Sequence, residues 1–119
     1  MTKPPIPVLI VDDDADSLEL LSAALAQPGI AIHSESDPEA AVDWVAQHHP
    51  PIVFSDLVMP GLDGIGLLER VMEIDPTTDV ILMTAHYTIE SAVEAIKKGA
   101  SDYLSKPVSL DALRAAVAE

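Results

Sequence analysis

The chain has 119 residues, with 20 acidic against 6 basic side chains (formal net charge −14), 49% hydrophobic and 22% charged residues, and no cysteine. One domain fits that length, and the apolar content suffices for a core without disulfide or metal staples. Thiolate metal sites, disulfides and thiol catalysis are excluded, and the acidic balance opposes binding to nucleic-acid backbones or anionic membranes.

In chain order, Val8–Val11 reads as a strand, and Ala15–Ala26 as a helix with Leu18, Leu21 and Leu25 on one stripe, stopped by Pro28-Gly29. A second strand covers Ile30–Ile32. A second helix follows, with Asp37 as N-cap, Pro38 at its first position and Ala41, Val42 and Val45 inward; it ends by His49, because Pro50-Pro51 follows. His48 and His49 read as a helix end favoured by the dipole. Ile52–Phe54 is a third strand, Ile65–Ile74 a third helix and Val80–Met83 a fourth strand. The fourth helix has Thr88 as cap, Gly99 as stop, and Ile89, Ala92, Val93, Ile96 and Ala100 at the spacing of one face. A weaker strand, Asp102–Leu104, and a helix after Ser109 carrying Leu110, Leu113 and Val117 complete the series.

The apolar runs are continuous rather than alternating, as in strands covered on both faces. Alternating β and α implies right-handed crossovers, and so an α/β, doubly wound three-layer sandwich around a parallel five-stranded sheet. A barrel would need about 250 residues. Pro7 interrupts the first apolar run, no signal peptide is visible, and no stretch approaches the roughly 18 apolar residues of a membrane helix. A soluble cytoplasmic domain without internal linker or repeat is expected.

In open sheets of this kind, ligands bind beyond the carboxyl ends of the strands. Those ends carry Asp12-Asp13-Asp14, Ser55-Asp56, Thr84-Ala85-His86 and Ser105-Lys106-Pro107. Carboxylates brought close together repel, and a hard cation with oxygen ligands is the natural neutraliser. Magnesium suits one or two carboxylates plus waters and phosphate oxygens. An aspartate near magnesium and a lysine can attack phosphorus and form an acyl phosphate. Singly, these residues have plainer readings: helix caps in the Asp run, a turn at Thr84, a surface lysine at Lys106.

Together they resemble the receiver domain of bacterial two-component response regulators across essentially all 119 residues. The matching pieces are Val8–Asp13, Ser55-Asp-Leu-Val-Met-Pro-Gly-Leu-Asp-Gly64, Met83-Thr-Ala-His86 and Gly99-Ala-Ser-Asp-Tyr-Leu-Ser-Lys-Pro107. The resemblance implies a (βα)5 flavodoxin-like fold with strand order 2-1-3-4-5. It implies that Asp56 is the phospho-acceptor and that Asp12, Asp13, Asp56 and the main-chain carbonyl of Val58 hold Mg2+. Lys106 would pair with Asp56 and then with the phosphoryl oxygens, aimed by a cis Lys106–Pro107 peptide bond. Thr84 would donate its hydroxyl to the phosphoryl group, and Tyr103 would turn from exposed to buried. Val58 and His86 would tune acyl-phosphate lifetime.

The implied function is a phospho-acceptor signalling switch that assists its own phosphorylation and dephosphorylation without being a turnover enzyme. Its donor would be a sensor histidine kinase, a phosphotransfer protein or a small acyl phosphate. Its output face would be helix 4, strand 5 and helix 5, turned toward an output domain or a second copy. The Met-Thr-Ala-His and Asp-Tyr-Leu-Ser-Lys-Pro segments look most like receivers attached to AAA+ transcriptional activators. Residues 1–119 read as one receiver domain, excised from a longer chain or standing alone as a single-domain regulator.

Three alternatives were weighed. A haloacid-dehalogenase-type phosphatase fits Asp12-x-Asp14 but has Asp16 where Thr or Val is needed. A calcium loop fails at Ser17 and Ala23, which replace its turn glycine and closing glutamate. A phosphorylation-independent interaction module of the same fold remains.

Overall fold

The computed structural model describes residues 4–106 and 108–118, apart from the side chains of Leu110, Ala116 and Ala118. Strands and helices alternate throughout: β1 (Ile6–Val11), α1 (Ala15–Leu25), β2 (Ile30–Glu35), α2 (Pro38–His48), β3 (Ile52–Asp56), α3 (Gly64–Ile74), β4 (Asp79–Thr84), α4 (Ile89–Lys97), β5 (Asp102–Ser105) and α5 (Leu110–Ala118). All neighbouring strands are parallel, in the order β2-β1-β3-β4-β5. The doubly wound architecture expected from the alternation is the one observed. Among the described residues, no helix is long and apolar enough to cross a membrane.

The side-chain period of two divides each central strand between two cores. Leu9, Val11, Val53, Val80 and Leu82 face α2 and α3, where Ala41, Val45, Leu67, Leu68 and Val71 are buried. Val8, Ile10, Ile52, Phe54, Ile81 and Met83 face α1 and α5, meeting Leu25 and Leu113. Burying each large aliphatic side chain contributes roughly 1.5–3 kcal/mol, which is why the strands read as unbroken apolar runs.

Helix ends follow local chemistry. The Asp14 carboxylate accepts from Asp16 N–H, Asp37 from Glu39 N–H, and Asp63 from Gly66 N–H. His49 takes the left-handed conformation at φ 47° and donates its N–H to the Val45 carbonyl, closing α2. His48 Nδ1 lies 3.1 Å from the Trp44 carbonyl oxygen, and Trp44 itself stacks between the rings of His33 and His48.

The fourth helix forms behind its Thr88 cap, as its sequence predicts. Its large apolar side chains face outward: Ile89 is 77% exposed, Val93 46% and Ile96 50%. The face turned to the sheet carries small residues, with Ala95 fully buried and Ala92 packed at the edge of the core. A 3.6-residue period shows that a helix has an apolar side; it does not say that the side meets the core.

Candidate functional site

Strand register assembles the site. Val11 pairs with Ser55, so Asp12, the residue after β1, lies level with Asp56. Asp56 pairs with Met83, and Thr84 with Ser105, which brings Thr84 and Lys106 to the same sheet edge. The loop after β1 turns at once, because the Asp12 carboxylate accepts from Asp14 N–H and Asp14 caps α1. Of the three consecutive aspartates, Asp14 is therefore the cap, while Asp12 and Asp13 are left for the site.

One carboxylate oxygen from each of Asp12, Asp13 and Asp56 lies within 4.8 Å of the others. Asp12 is buried, Asp56 partly buried and Asp13 exposed. The Lys106 ammonium spans two of them, donating to Asp12 at 2.8 Å and approaching Asp56 at 3.1 Å. Burial is the largest influence on Asp56 and raises its pKa; Lys106 opposes it, and the charges of Asp12 and Asp13 reinforce it, leaving the carboxyl above its ordinary value. For Lys106, burial alone favours the neutral amine, but the hydrogen bonds and charges of Asp12 and Asp56 together outweigh it and raise its pKa.

The donor set suits a divalent magnesium ion. Three hard carboxylate oxygens are balanced by a single ammonium, which leaves surplus negative charge at the open edge of the sheet.

Thr84 is buried at the end of β4, and its hydroxyl oxygen accepts from His86 N–H at 3.0 Å. Val58 follows Asp56 on the β3–α3 loop with its side chain exposed. Tyr103 is buried on β5, only 5% exposed. The expected cis peptide involves Pro107, which lies outside the described residues. Beside Lys106, a cleft of about 520 Å3 runs between α1 and α5, walled by Leu20, Leu21, Ala24, Val108 and Leu113.

A sequence profile for the response regulator receiver domain matches residues 8–118. The chain belongs to that family. It is 42% identical to the regulatory protein AtoC of Escherichia coli K12 over 106 residues, covering 89% of this chain and 23% of AtoC. It is 38% identical to the transcriptional regulator NtrC of the same organism over 104 residues, 87% of this chain and 22% of NtrC. It thus spans about a quarter of the length of these relatives. Among solved structures, it superposes on the receiver domain of the Francisella response regulator 1452 with a TM-score of 0.87 at 31% identity, covering 98% and 94% of the two chains. The receiver domain of NtrX from Brucella abortus gives a TM-score of 0.85 at 32% identity, covering 93% and 94%. Residues 8–118 are therefore a receiver domain of the two-component response-regulator family.

Two residues behind the receiver's acidic edge escaped the sequence reading. Ser55 is fully buried, and its hydroxyl donates to the Asp56 carbonyl at 2.9 Å. Gly64 opens α3 directly behind that carbonyl: a Cβ there would lie 2.6 Å from the Asp56 oxygen and 2.8 Å from Leu57 Cα. Gly64 N–H also donates to the Leu57 carbonyl at 2.8 Å. Both fall inside the Ser55–Gly64 motif, yet neither carries charge, and only the fold shows what they touch.

Proposed function

We propose that this receiver domain takes a phosphoryl group on Asp56 and passes the event to an output surface as a conformational change. The observation that supports this most directly is the Lys106 ammonium held between the Asp12 and Asp56 carboxylates at the open edge of the sheet. The acidic cleft attracts an ammonium by charge alone, but here one lysine bridges both carboxylates at hydrogen-bonding distance. That bridge suits a lysine that must follow charge from a carboxylate to a phosphoryl group.

The chemistry is a displacement at phosphorus. An Asp56 carboxylate oxygen forms the new P–O bond as the donor's P–N or P–O bond breaks, and the leaving group departs with the bonding pair. Desolvation raises the energy of the ionised acceptor, and Lys106 holds its orientation. Asp12, Asp13, Asp56 and the Val58 main-chain carbonyl would hold Mg2+, which supplies charge stabilisation for the transferred group. Hydrolysis of the acyl phosphate by water returns the free carboxylate.

After transfer, the Thr84 hydroxyl, whose oxygen accepts from His86 N–H, would donate its proton to a phosphoryl oxygen, drawing the β4–α4 loop inward. The face made by α4, β5 and α5 then changes its preference for an output domain, of the AAA+ activator type, or for a second copy. The donor would be a sensor histidine kinase or phosphotransfer protein. The formal charge of −14 leaves no role for this domain in contacting nucleic acid directly.

The test is incubation with acetyl phosphate, with and without magnesium, read by intact mass beside an Asp56→Asn control. One phosphoryl group gained only with magnesium and only in the parent supports the reading. No gain under conditions where a known receiver responds favours a phosphorylation-independent interaction module or a strict need for a kinase, and a gain that persists in the control assigns the acceptor to another residue.

A further inference from the structure

Tyr103 is the aromatic expected to move when the switch is thrown, yet here it already lies inward with a dedicated partner. Its hydroxyl is 2.7 Å from Ser91 Oγ on the first turn of α4. Ser91 belongs to the cap of that helix. Its N–H donates to Thr88 Oγ1 at 3.1 Å, and its hydroxyl lies 2.8 Å from the same oxygen and 3.1 Å from the Thr88 carbonyl. The ring of Tyr87 meets the Tyr103 ring edge-on at a centroid distance of 5.0 Å. Meanwhile the Thr84 hydroxyl is engaged within its own loop, by His86 N–H.

We propose that Ser91 is a positioning residue that latches Tyr103 inward before phosphorylation. This inference rests on the switch function assigned above and deepens it. The α4–β5 surface is pre-set by the helix cap, and the element left to respond is the Thr84–His86 segment. A hydroxyl–hydroxyl bond at a partly buried site contributes a net amount equivalent to about a two- to tenfold bias between rotamers. That is enough to decide the position of a ring whose alternative is solvent.

The experiment uses fluorine NMR of 3-fluorotyrosine-labelled protein. The chain has two tyrosines, so a Tyr87→Phe background leaves Tyr103 as the single reporter while keeping the neighbouring ring. In that parent, without magnesium, the Tyr103 resonance should show the small H2O/D2O shift of a shielded ring. It should change little when magnesium and beryllofluoride, a phosphoryl mimic, are added. Ser91→Ala should cut the inward-to-outward ratio about two- to tenfold and raise the solvent shift, and Ser91→Thr, which keeps the hydroxyl, should restore the parent signal.

Alanine is the better helix former, so α4 itself persists in Ser91→Ala. A second readout is the double-mutant cycle with Tyr103→Phe, where the double variant's unfolding constant should fall about two- to tenfold below the product of the singles. A parent ring that is solvent-exposed until beryllofluoride is added overturns the latch, as does a Ser91→Ala spectrum identical to the parent's, or an additive cycle. Failure of the acceptor reading shows elsewhere, as absence of the phosphoryl mass gain, and leaves the magnesium-free comparison intact.

Discussion

Replacing Asp56 with asparagine is expected to stabilise the magnesium-free domain, even though it removes the proposed acceptor. The carboxylate stands within 4.8 Å of ligand oxygens from both Asp12 and Asp13, and 3.1 Å from the Lys106 ammonium. At an effective dielectric constant of about 20, each repulsion amounts to about 3.5 kcal/mol and the attraction to about 5 kcal/mol. Counted with its hydrogen bond, the Lys106 attraction is at least as large as the two repulsions together, and it is burial, acting in the same direction as the repulsions, that tips the balance against the ionised carboxylate. The raised pKa of Asp56 agrees: the folded chain prefers the protonated acid more than the unfolded chain does. Asp13 is exposed, so solvent screening leaves only part of these energies. A net gain of about 1–2 kcal/mol for Asp56→Asn follows, or a rise in melting temperature of about 4–8 °C for each kcal/mol. Magnesium should invert the order. At a hundred times its dissociation constant, an ion stabilises the parent by about 2.7 kcal/mol, and the variant, lacking one carboxylate, by much less. Thermal melts with and without magnesium, beside a chelator control, measure both effects. A variant that melts at or below the parent without magnesium refutes the electrostatic argument.

Gly64→Ala should cost about 1–3 kcal/mol in urea unfolding, because its Cβ would meet the Asp56 carbonyl at 2.6 Å, and acetyl phosphate should then label Asp56 more slowly. Acidification should act on Asp56 and Asp75 in opposite senses. Stability attributable to Asp56 rises as pH falls through its raised pKa toward the ordinary value of 3.8 and is fully gained below that. That attributable to Asp75, whose carboxyl is held below 3.8 chiefly by hydrogen bonds from Thr77, is lost as pH falls through its lowered pKa. Melting curves of Asp56→Asn and Asp75→Asn against pH separate the two: the first variant should lose the gain, the second the loss. Ile89→Ala should change stability by no more than about 0.5 kcal/mol, where a core isoleucine would cost about 2–5 kcal/mol; a loss in the latter range in urea unfolding would show that Ile89 is not a surface residue.

The alternation of apolar runs with capped helices was enough to predict the sheet and its connections, because each central strand is buried on both faces and each helix carries its own start signal. Asp37 with Pro38, and Thr88 ahead of Ile89, cap the helices as their residue types demand. The acidic edge was legible for a different reason: the charged residues sit immediately after apolar runs, and parallel register aligns those positions. What stayed hidden depends on contacts between segments far apart in the chain. Ser55 and Gly64 support Asp56 through its carbonyl, and a neutral hydroxyl or a missing Cβ leaves no pattern in one sequence. Ser91 reads as an ordinary first-turn residue until β5 brings the Tyr103 hydroxyl to it.

The fourth helix shows why periodicity alone misplaces a functional surface. Ile89, Val93 and Ile96 form a continuous stripe, and a stripe of that width normally marks the core face. Here the buried positions are Ala95 and, in part, Ala92, which let the helix approach the sheet closely, while the stripe is left to solvent. Such an arrangement gives up much of the burial of Ile89 and about half that of Val93 and Ile96, where full burial of each would contribute roughly 1.5–3 kcal/mol. Leu20 on α1 and Val58 on the β3–α3 loop are also exposed, but among the described residues only on α4 do three large apolar side chains share one helical face. The stripe lies on the helix whose cap holds Tyr103 and whose leading loop holds Thr84, so a change at either residue is felt by the element that presents it. On the switch reading proposed above, a shift of the β4–α4 loop would alter how the stripe is offered to a partner.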